Sequence, residues 1–384
     1  MTEPECTTPT AEEVLALLRQ RQRADLPVHG GRTLAYVYDS GLPRIDELGR
    51  QAVAAHAGSN GLDPTPFPSL QQMENELVGM AADLLAAPDG VVGTATSGGT
   101  ESVLLAVQAA RDARPDVAAP RMVLPATAHA AFHKAAHYFG VEPVVVPVAT
   151  DFRAEVATMA AATDERTLLL VASAPSYAHG VVDPVAGIAA VAAERGVRCM
   201  STPASAAGCC RSPPTWAGRC RTGDFRVPGV TSISVDLHKY GYAPKGVSLL
   251  LHRSSAVRHA QFFASARWPG YTMLNSTLQS TKSGGPLAGA WAVVRAIGRQ
   301  GYLRLTDEVL QAVDRVAEGV AAIPQLRLVA SRPRPCWQSG LMPAVTRSPS
   351  VTSLRCSPTC WLRPGWSTRR PGRAGWCCRP GWRG

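Results

Sequence analysis

No stretch of the 384 residues approaches the roughly twenty consecutive apolar positions that a membrane-crossing helix needs, so no transmembrane segment is expected. The opening residues carry acids and lack the apolar segment of a secretory signal, which makes a cytoplasmic protein the expectation. Acidic residues are missing altogether from Arg332 onward, where ten of the 39 basic residues lie; the rest of the chain balances, with 29 of each sign. The net charge of +10 therefore belongs to the tail, and nucleic-acid binding by the folded body is not expected. Cysteine is scarce outside 200–223 and 333–384, which hold eight of the ten. No pair has a second pair at zinc-ligand spacing, and the adjacent Cys209-Cys210 and Cys377-Cys378 are poor ligand geometries, so no metal site is expected.

What is present is a globular body, 46% hydrophobic and long enough for one large core with a smaller unit. Thr10-Ala-Glu-Glu13 predicts a capping box opening an amphipathic helix through Val14, Leu17 and Leu18. A Gly/Pro/Asn-rich connection at 59–68 precedes a helix through Met73, Leu77, Met80 and Leu84. Strands are then predicted at 91–95, 122–124, 144–148 and 168–172, alternating with helices at 100–111, 130–139 and 184–194. Such alternation implies a mainly parallel sheet covered on both faces. Two more strands follow at 232–235 and 247–251, and helices at 291–297 and 303–320. The stretches 200–223 and 333–384 show neither helical nor strand periodicity and hold six of the eight Trp, so they offer little to a core.

Two constellations carry chemistry. Thr96-Ser-Gly-Gly-Thr-Glu-Ser102 joins a strand to a helix, where glycines admit an anion and the helix start presents N–H groups and positive dipole. A phosphate is the natural ligand, although the turn alone is equally an ordinary tight connection. Asp236-Leu-His-Lys-Tyr-Gly-Tyr-Ala-Pro-Lys-Gly246 follows a strand and carries Lys239, whose amine can condense with an aldehyde in a partly dry pocket. Taken singly, Lys239 reads as a surface lysine. The two together suit a cofactor that is both an aldehyde and a phosphate ester.

Ser97-Gly-Gly-Thr-Glu-Ser102, Ala128-His-Ala-Ala-Phe-His-Lys-Ala135, Ser173-Ala-Pro-Ser-Tyr-Ala-His-Gly180, the Lys239 segment, Trp268-Pro-Gly-Tyr271 and Thr281-Lys-Ser-Gly-Gly285 occur in the order of the sphingosine-phosphate lyase branch of the group II pyridoxal-phosphate (PLP) decarboxylases. The chain resembles that branch over 30–199 and 224–330. The resemblance implies an α/β fold of PLP fold type I, with a mainly parallel sheet, helices on both faces and a truncated small C-terminal domain. It implies an N-terminal helix and arm at 1–75, a large PLP-binding domain at 76–285 and the start of the small domain at 286–331, before a tail at 332–384. Lys239 would bind the cofactor aldehyde and His129 would stack on its ring. Ser97, Gly98, Gly99 and Thr100 would hold its phosphate, with Ser173 and His238 beside it, and Lys245 would assist proton transfer. Tyr36, Asn60 and Tyr177 would line the substrate pocket. The implied reaction is retro-aldol cleavage of a phosphorylated sphingoid base by a homodimer. An amino-acid decarboxylase, an inactive product of a degraded gene and a basic protein that binds nucleic acid through its tail are the rivals.

The chain departs from this branch at three places. The family keeps an Asp for the pyridine nitrogen in a His-Val-Asp-Ala-Cys motif followed by Gly-Gly. Here Met200-Ser-Thr-Pro-Ala-Ser-Ala-Ala207 stands there, without an acid. In GC-rich codons His-Val-Asp-Ala-Cys-Ile-Gly-Gly is CAT GTC GAC GCC TGC ATC GGC GGC, and loss of the first base yields the residues observed. A frameshift near 200, compensated near 223, and a second near 332 account for both unpatterned stretches, and poor folding with weak activity follows as the expectation. Asp63 replaces a His that helps hold the substrate phosphate, and Lys282 replaces an Arg, losing the bidentate fork.

Overall fold

The computed structural model describes residues 8–33, 36–202, 223–328 and 345–347; the rest, including 203–222 and nearly all of the tail, lie outside the described residues. Helix α1 (Ala11–Gln22) opens on the expected capping box, with Thr10 accepting from the Glu13 N–H and Glu13 from the Thr10 N–H. It buries no residue, and Val14, Leu15, Leu17 and Leu18 stay exposed. A helix not anticipated, α2 (Pro43–Ala55), starts on a proline whose missing N–H costs nothing in a first turn. Its Gly49 faces α9, where an added Cβ would lie 3.1 Å from Val293 and 3.2 Å from Pro244, so the small residue sets the approach of the two helices. Helix α3 (Pro68–Leu84) buries Leu70, Met73, Leu77 and Ala81 at helical spacing.

The centre is a seven-stranded sheet built from β1 (Val92–Thr96), β2 (Arg121–Pro125), β3 (Glu142–Val146), β4 (Thr167–Ser173), β5 (Arg198–Thr202), β6 (Ser232–Asp236) and β7 (Ser248–His252). Their order is β1-β7-β6-β5-β4-β2-β3. Strand β7 runs antiparallel to both its neighbours, and the pairs from β6 through β3 are parallel. Between the strands come α4 (Gly99–Asp112), α5 (Ala131–Phe139), α6 (Val156–Ala161) and α7 (Val185–Glu194). Strand period two splits the core: Leu169 and Val171 of β4 face the α4–α5 layer, and Leu170 and Ala172 face the α3–α7 layer. This is the layered α/β architecture that the alternation implied.

After α8 (Ser255–Arg258), a short antiparallel pair of β8 (Phe263–Ser265) and β9 (Met273–Asn275) leads to α9 (Gly285–Ala321). The two helices expected at 291–297 and 303–320 are one element broken at Gly298, whose φ of 59° only glycine adopts cheaply. Strand β5 corrects a second expectation. The unpatterned stretch was to begin at 200, yet Met200 and Ser201 are fully buried strand residues paired with β4 on one side and β6 on the other. Two flanking strands supply backbone partners whatever the side chains, so the ladder continues to Thr202. Among the described residues no helix is long and apolar enough to cross a membrane.

Candidate active site

The parallel strands β4, β5 and β6 end on one edge of the sheet, and β1 delivers the turn at 97–99 to the same edge. Such strand ends are where α/β sheets place ligands. A cavity of about 200 Å³ lies there, lined by Gly99, Thr100, His129, Ser173, Tyr177, Thr202, Ser234, Asp236, His238 and Lys239, among others. Residues 140 positions apart in the chain, the anion turn and the lysine, thus share one space.

Lys239 follows β6 by three residues, and its Nζ lies 2.8 Å from Oδ2 of Asp236. The other carboxylate oxygen accepts from Ser248 Oγ at 2.5 Å. Burial by itself would raise Asp236; the Lys239 ammonium, its hydrogen bond and Ser248 override that and hold the carboxyl below its ordinary value. Gly99 leaves room for this acid, since a Cβ on it would sit 2.6 Å from Asp236 Oδ1. Helix α4 begins at Gly99 with no side-chain cap, so its first-turn N–H groups point at the cavity's anion end without an internal competitor. His129 Nδ1 accepts from the Ala131 N–H at 3.1 Å, and partial burial, then Lys239, lowers its pKa. It is a neutral ring, edge-on to Tyr177 at 6.4 Å. His238, lowered first by burial, anchors its Nδ1 on the Val247 carbonyl at 3.1 Å. Lys245 donates to the His238 carbonyl at 3.0 Å and is lowered by burial and then by Lys239.

Five expected residues do not line this cavity, among them Lys245, which reaches it only through the His238 carbonyl. Ser97 faces a second cavity of about 620 Å³, and its N–H is taken at 2.5 Å by Glu101, which also accepts from the Leu278 N–H. Asn60 lines neither cavity; its Oδ1 accepts from the Leu62 N–H at 3.0 Å and the Lys282 N–H at 3.4 Å, tying two loops together. Tyr36 is 83% exposed at a φ of 70°, so its ring leaves the protein. Tyr38 takes the inner place: its ring meets Tyr240 edge-on at 5.0 Å, Lys245 Nζ lies 5.4 Å from its centroid, and burial, then Tyr177 and Asp236, push its pKa up to about 12. Gly98 is the N-cap residue of α4 and lines neither cavity. Asp63 and Lys282 line the second cavity. Sequence reasoning also passed over Asp236, whose signal was its place at a strand end three residues before the lysine.

An amine, a helix start and a neutral aromatic ring around one cavity define a site for a phosphorylated aldehyde. Residues 42–336 match the pyridoxal-dependent decarboxylase conserved domain, and the chain belongs to that family. It is 38% identical to sphingosine-1-phosphate lyase 1 of Rattus norvegicus over 78% of this chain and 53% of the relative. It is 32% identical to a probable L-tyrosine/L-aspartate decarboxylase of Methanocorpusculum labreanum, over 83% of this chain and 84% of that one. A sphingosine-1-phosphate lyase structure from Burkholderia pseudomallei superposes with a TM-score of 0.77 at 32% identity, covering 86% of this chain and 78% of that one. The chain spans about half the length of the curated lyases it matches. The cofactor of this family fits the cavity at the amine, at the anion turn and at His129; the strand ends Ser173 and Thr202 offer it hydroxyls only.

Proposed function

We propose that this chain is a PLP-dependent carbon–carbon lyase acting on a phosphorylated sphingoid base or a similar amino-alcohol phosphate, giving a long-chain aldehyde and phosphoethanolamine. The observation that carries the reading is the single cavity in which Lys239 and the Gly99–Thr100 turn meet. When bound, the cofactor supplies an aldehyde that condenses with primary amines, with loss of water, and a ring that draws electrons from a breaking bond. The chain's own residues do the rest. Lys239 holds the aldehyde, and Asp236, 2.8 Å from its Nζ, orients the amine. Gly98, Gly99 and Thr100 present backbone N–H groups to the phosphate. Neutral His129 would cover the ring without adding charge, and Ser173 and His238 would line the cavity around it. Lys245, its pKa lowered, takes the proton from the substrate's 3-hydroxyl as the Cα–Cβ bond opens and the aldehyde forms. Tyr177 lines the approach, with Lys239 Nζ 5.8 Å from its ring.

The same reading includes a homodimer in the cytoplasm, with a large domain at 76–285 and a smaller one beginning at 286. The uncovered apolar face of α1 supports a second subunit. A decarboxylase acting on an amino acid is the second reading. It is favoured by Asp63, a carboxylate held below its ordinary value by the Thr65 N–H in the cavity beside the turn, which repels a phosphorylated substrate. The test is the absorbance of purified protein with added PLP, beside Lys239→Ala. A band that the variant lacks supports cofactor binding, and its absence from the wild-type chain leaves the product of a degraded gene. Release of aldehyde from a sphingoid phosphate, against carbon dioxide from an amino acid, then separates the two enzymes.

A further inference from the structure

The part of the cofactor cavity formed by the ends of β4 and β5 carries no charged side chain among the described residues. Its two strand ends are Ser173 of β4 and Thr202 of β5, paired directly in the ladder, and both line the cavity. The one carboxylate lining the cavity among the described residues, Asp236, is already engaged. Its oxygens are held by Lys239 and by Ser248 of β7, and it packs against Gly99. Those partners lie just past β6 and on β7, whereas Thr202 ends β5, the neighbour on the other side of β6. Nor does the chain just beyond β5 bring an acid, since 203–222 contains neither Asp nor Glu.

The cofactor's geometry then selects the wall. In PLP the ring nitrogen lies para to the aldehyde carbon, and the phosphate arm is on the carbon next to it. With the aldehyde at Lys239 and the phosphate at 98–100, the nitrogen is left to the strand ends. A carboxylate there keeps the nitrogen protonated by charge, as an opposite charge a few ångströms away favours any cationic form. A threonine hydroxyl can donate to the lone pair of the neutral ring or accept from a protonated one, but it has no charge with which to favour the cationic form. We propose that Thr202 faces the ring nitrogen of the cofactor and that this chain holds that nitrogen uncharged. The inference rests on Lys239 carrying PLP, as proposed above. Two consequences follow: the cofactor is held less tightly than a carboxylate would hold it, and its ring withdraws electrons weakly.

The experiment uses the full chain loaded with PLP carrying ¹⁵N in its ring, beside Thr202→Asp, Thr202→Val and Lys239→Ala. The ¹⁵N chemical shift reports protonation directly and does not depend on turnover. The expected result is an unprotonated nitrogen in the wild-type chain and in Thr202→Val, and a protonated one in Thr202→Asp. By equilibrium dialysis at neutral pH, Thr202→Asp should bind PLP about ten- to a hundred-fold more tightly, the gain typical of a charge-assisted hydrogen bond. A protonated nitrogen in the wild-type chain, bound in a way that Lys239→Ala abolishes, overturns this inference and leaves the proposed function standing. Unchanged affinity and an unprotonated nitrogen in a folded Thr202→Asp place the ring elsewhere and overturn it too. Should Thr202→Asp not fold, the wild-type shift alone decides. Binding by Thr202→Asp but not by the wild-type chain supports the inference, and no binding by either overturns both readings.

Discussion

Replacing Asp236 by Asn removes the charge that faces Lys239 while keeping an acceptor for Ser248. Two unit charges 2.8 Å apart attract by about 6 kcal/mol at an effective dielectric of about 20. Desolvation of both groups offsets much of this, so the pair contributes little beyond an apolar replacement. Removing one partner is different, because it leaves the other charge buried. With side chains 12% and 19% exposed, the cost sits at the low end for buried pairs, about 3 kcal/mol. Asp236→Asn and Lys239→Met should each show it in urea unfolding of the cofactor-free chain at pH 7. The double variant leaves no charge unpaired and should lose no more than either single, about 3 kcal/mol less than the two summed. Since the folded carboxyl lies below its unfolded value of 3.8, the contribution is complete above that pH and is lost as pH falls through the lower, folded value. The wild-type and Asp236→Asn stabilities should therefore converge only in strong acid. Additivity of the single variants to within about 0.5 kcal/mol would refute the pairing.

The hydroxyl of Ser201 is fully buried and has no hydrogen-bond partner among the described residues. Ser201→Val, the residue that the codon comparison restores, should add about 1–2 kcal/mol and raise the melting midpoint by a few degrees. A lower midpoint would mean that the space near Gly223 cannot take the methyl groups. Asp183 accepts from the Ala154 N–H at 2.9 Å and the Ser173 N–H at 2.7 Å with its two oxygens, so Asp183→Asn turns a donor on a donor and should cost about 1–3 kcal/mol at pH 7. Burial pushes this carboxyl up to about 6, so its contribution is complete below its unfolded value of 3.8 and declines as pH rises through 6. That part of the stability slope should vanish in the variant, as denaturant titrations across the range will read. Gly99→Ala places a Cβ 2.6 Å from Asp236 Oδ1 and should weaken PLP binding at least about ten-fold in equilibrium dialysis; unchanged binding would mean the carboxylate yields freely.

Much of the fold is local pattern and was legible as such. The Thr10 capping box, the β4 run and the α4 period are read from neighbouring residues, and the anion turn with its following helix is a local device as well. Helix α2 was passed over because its packing depends on Gly49, a residue that argues against a helix until α9 is seen beside it. The antiparallel direction of β7 has no sequence signal, because strand period is the same in either direction. Tyr36 and Tyr38 are chemically identical candidates two positions apart, and only the left-handed turn at Tyr36 sends one outward.

By itself the sequence determined the chemistry on offer: an amine after a strand, an anion turn before a helix, an imidazole between them in the chain, and no carboxylate from 200 to 223. Those are covalent facts and short-range periodicities, which survive without knowledge of contacts. The tertiary structure decided which of these groups share a space. The Asp236–Lys239 contact is local, but strand order set Asp236 beside Ser248 and against Gly99 and brought Ser173 and Thr202 to the same cavity. Neighbourhood across a sheet depends on pairings between residues far apart in the chain, and no local pattern carries that information.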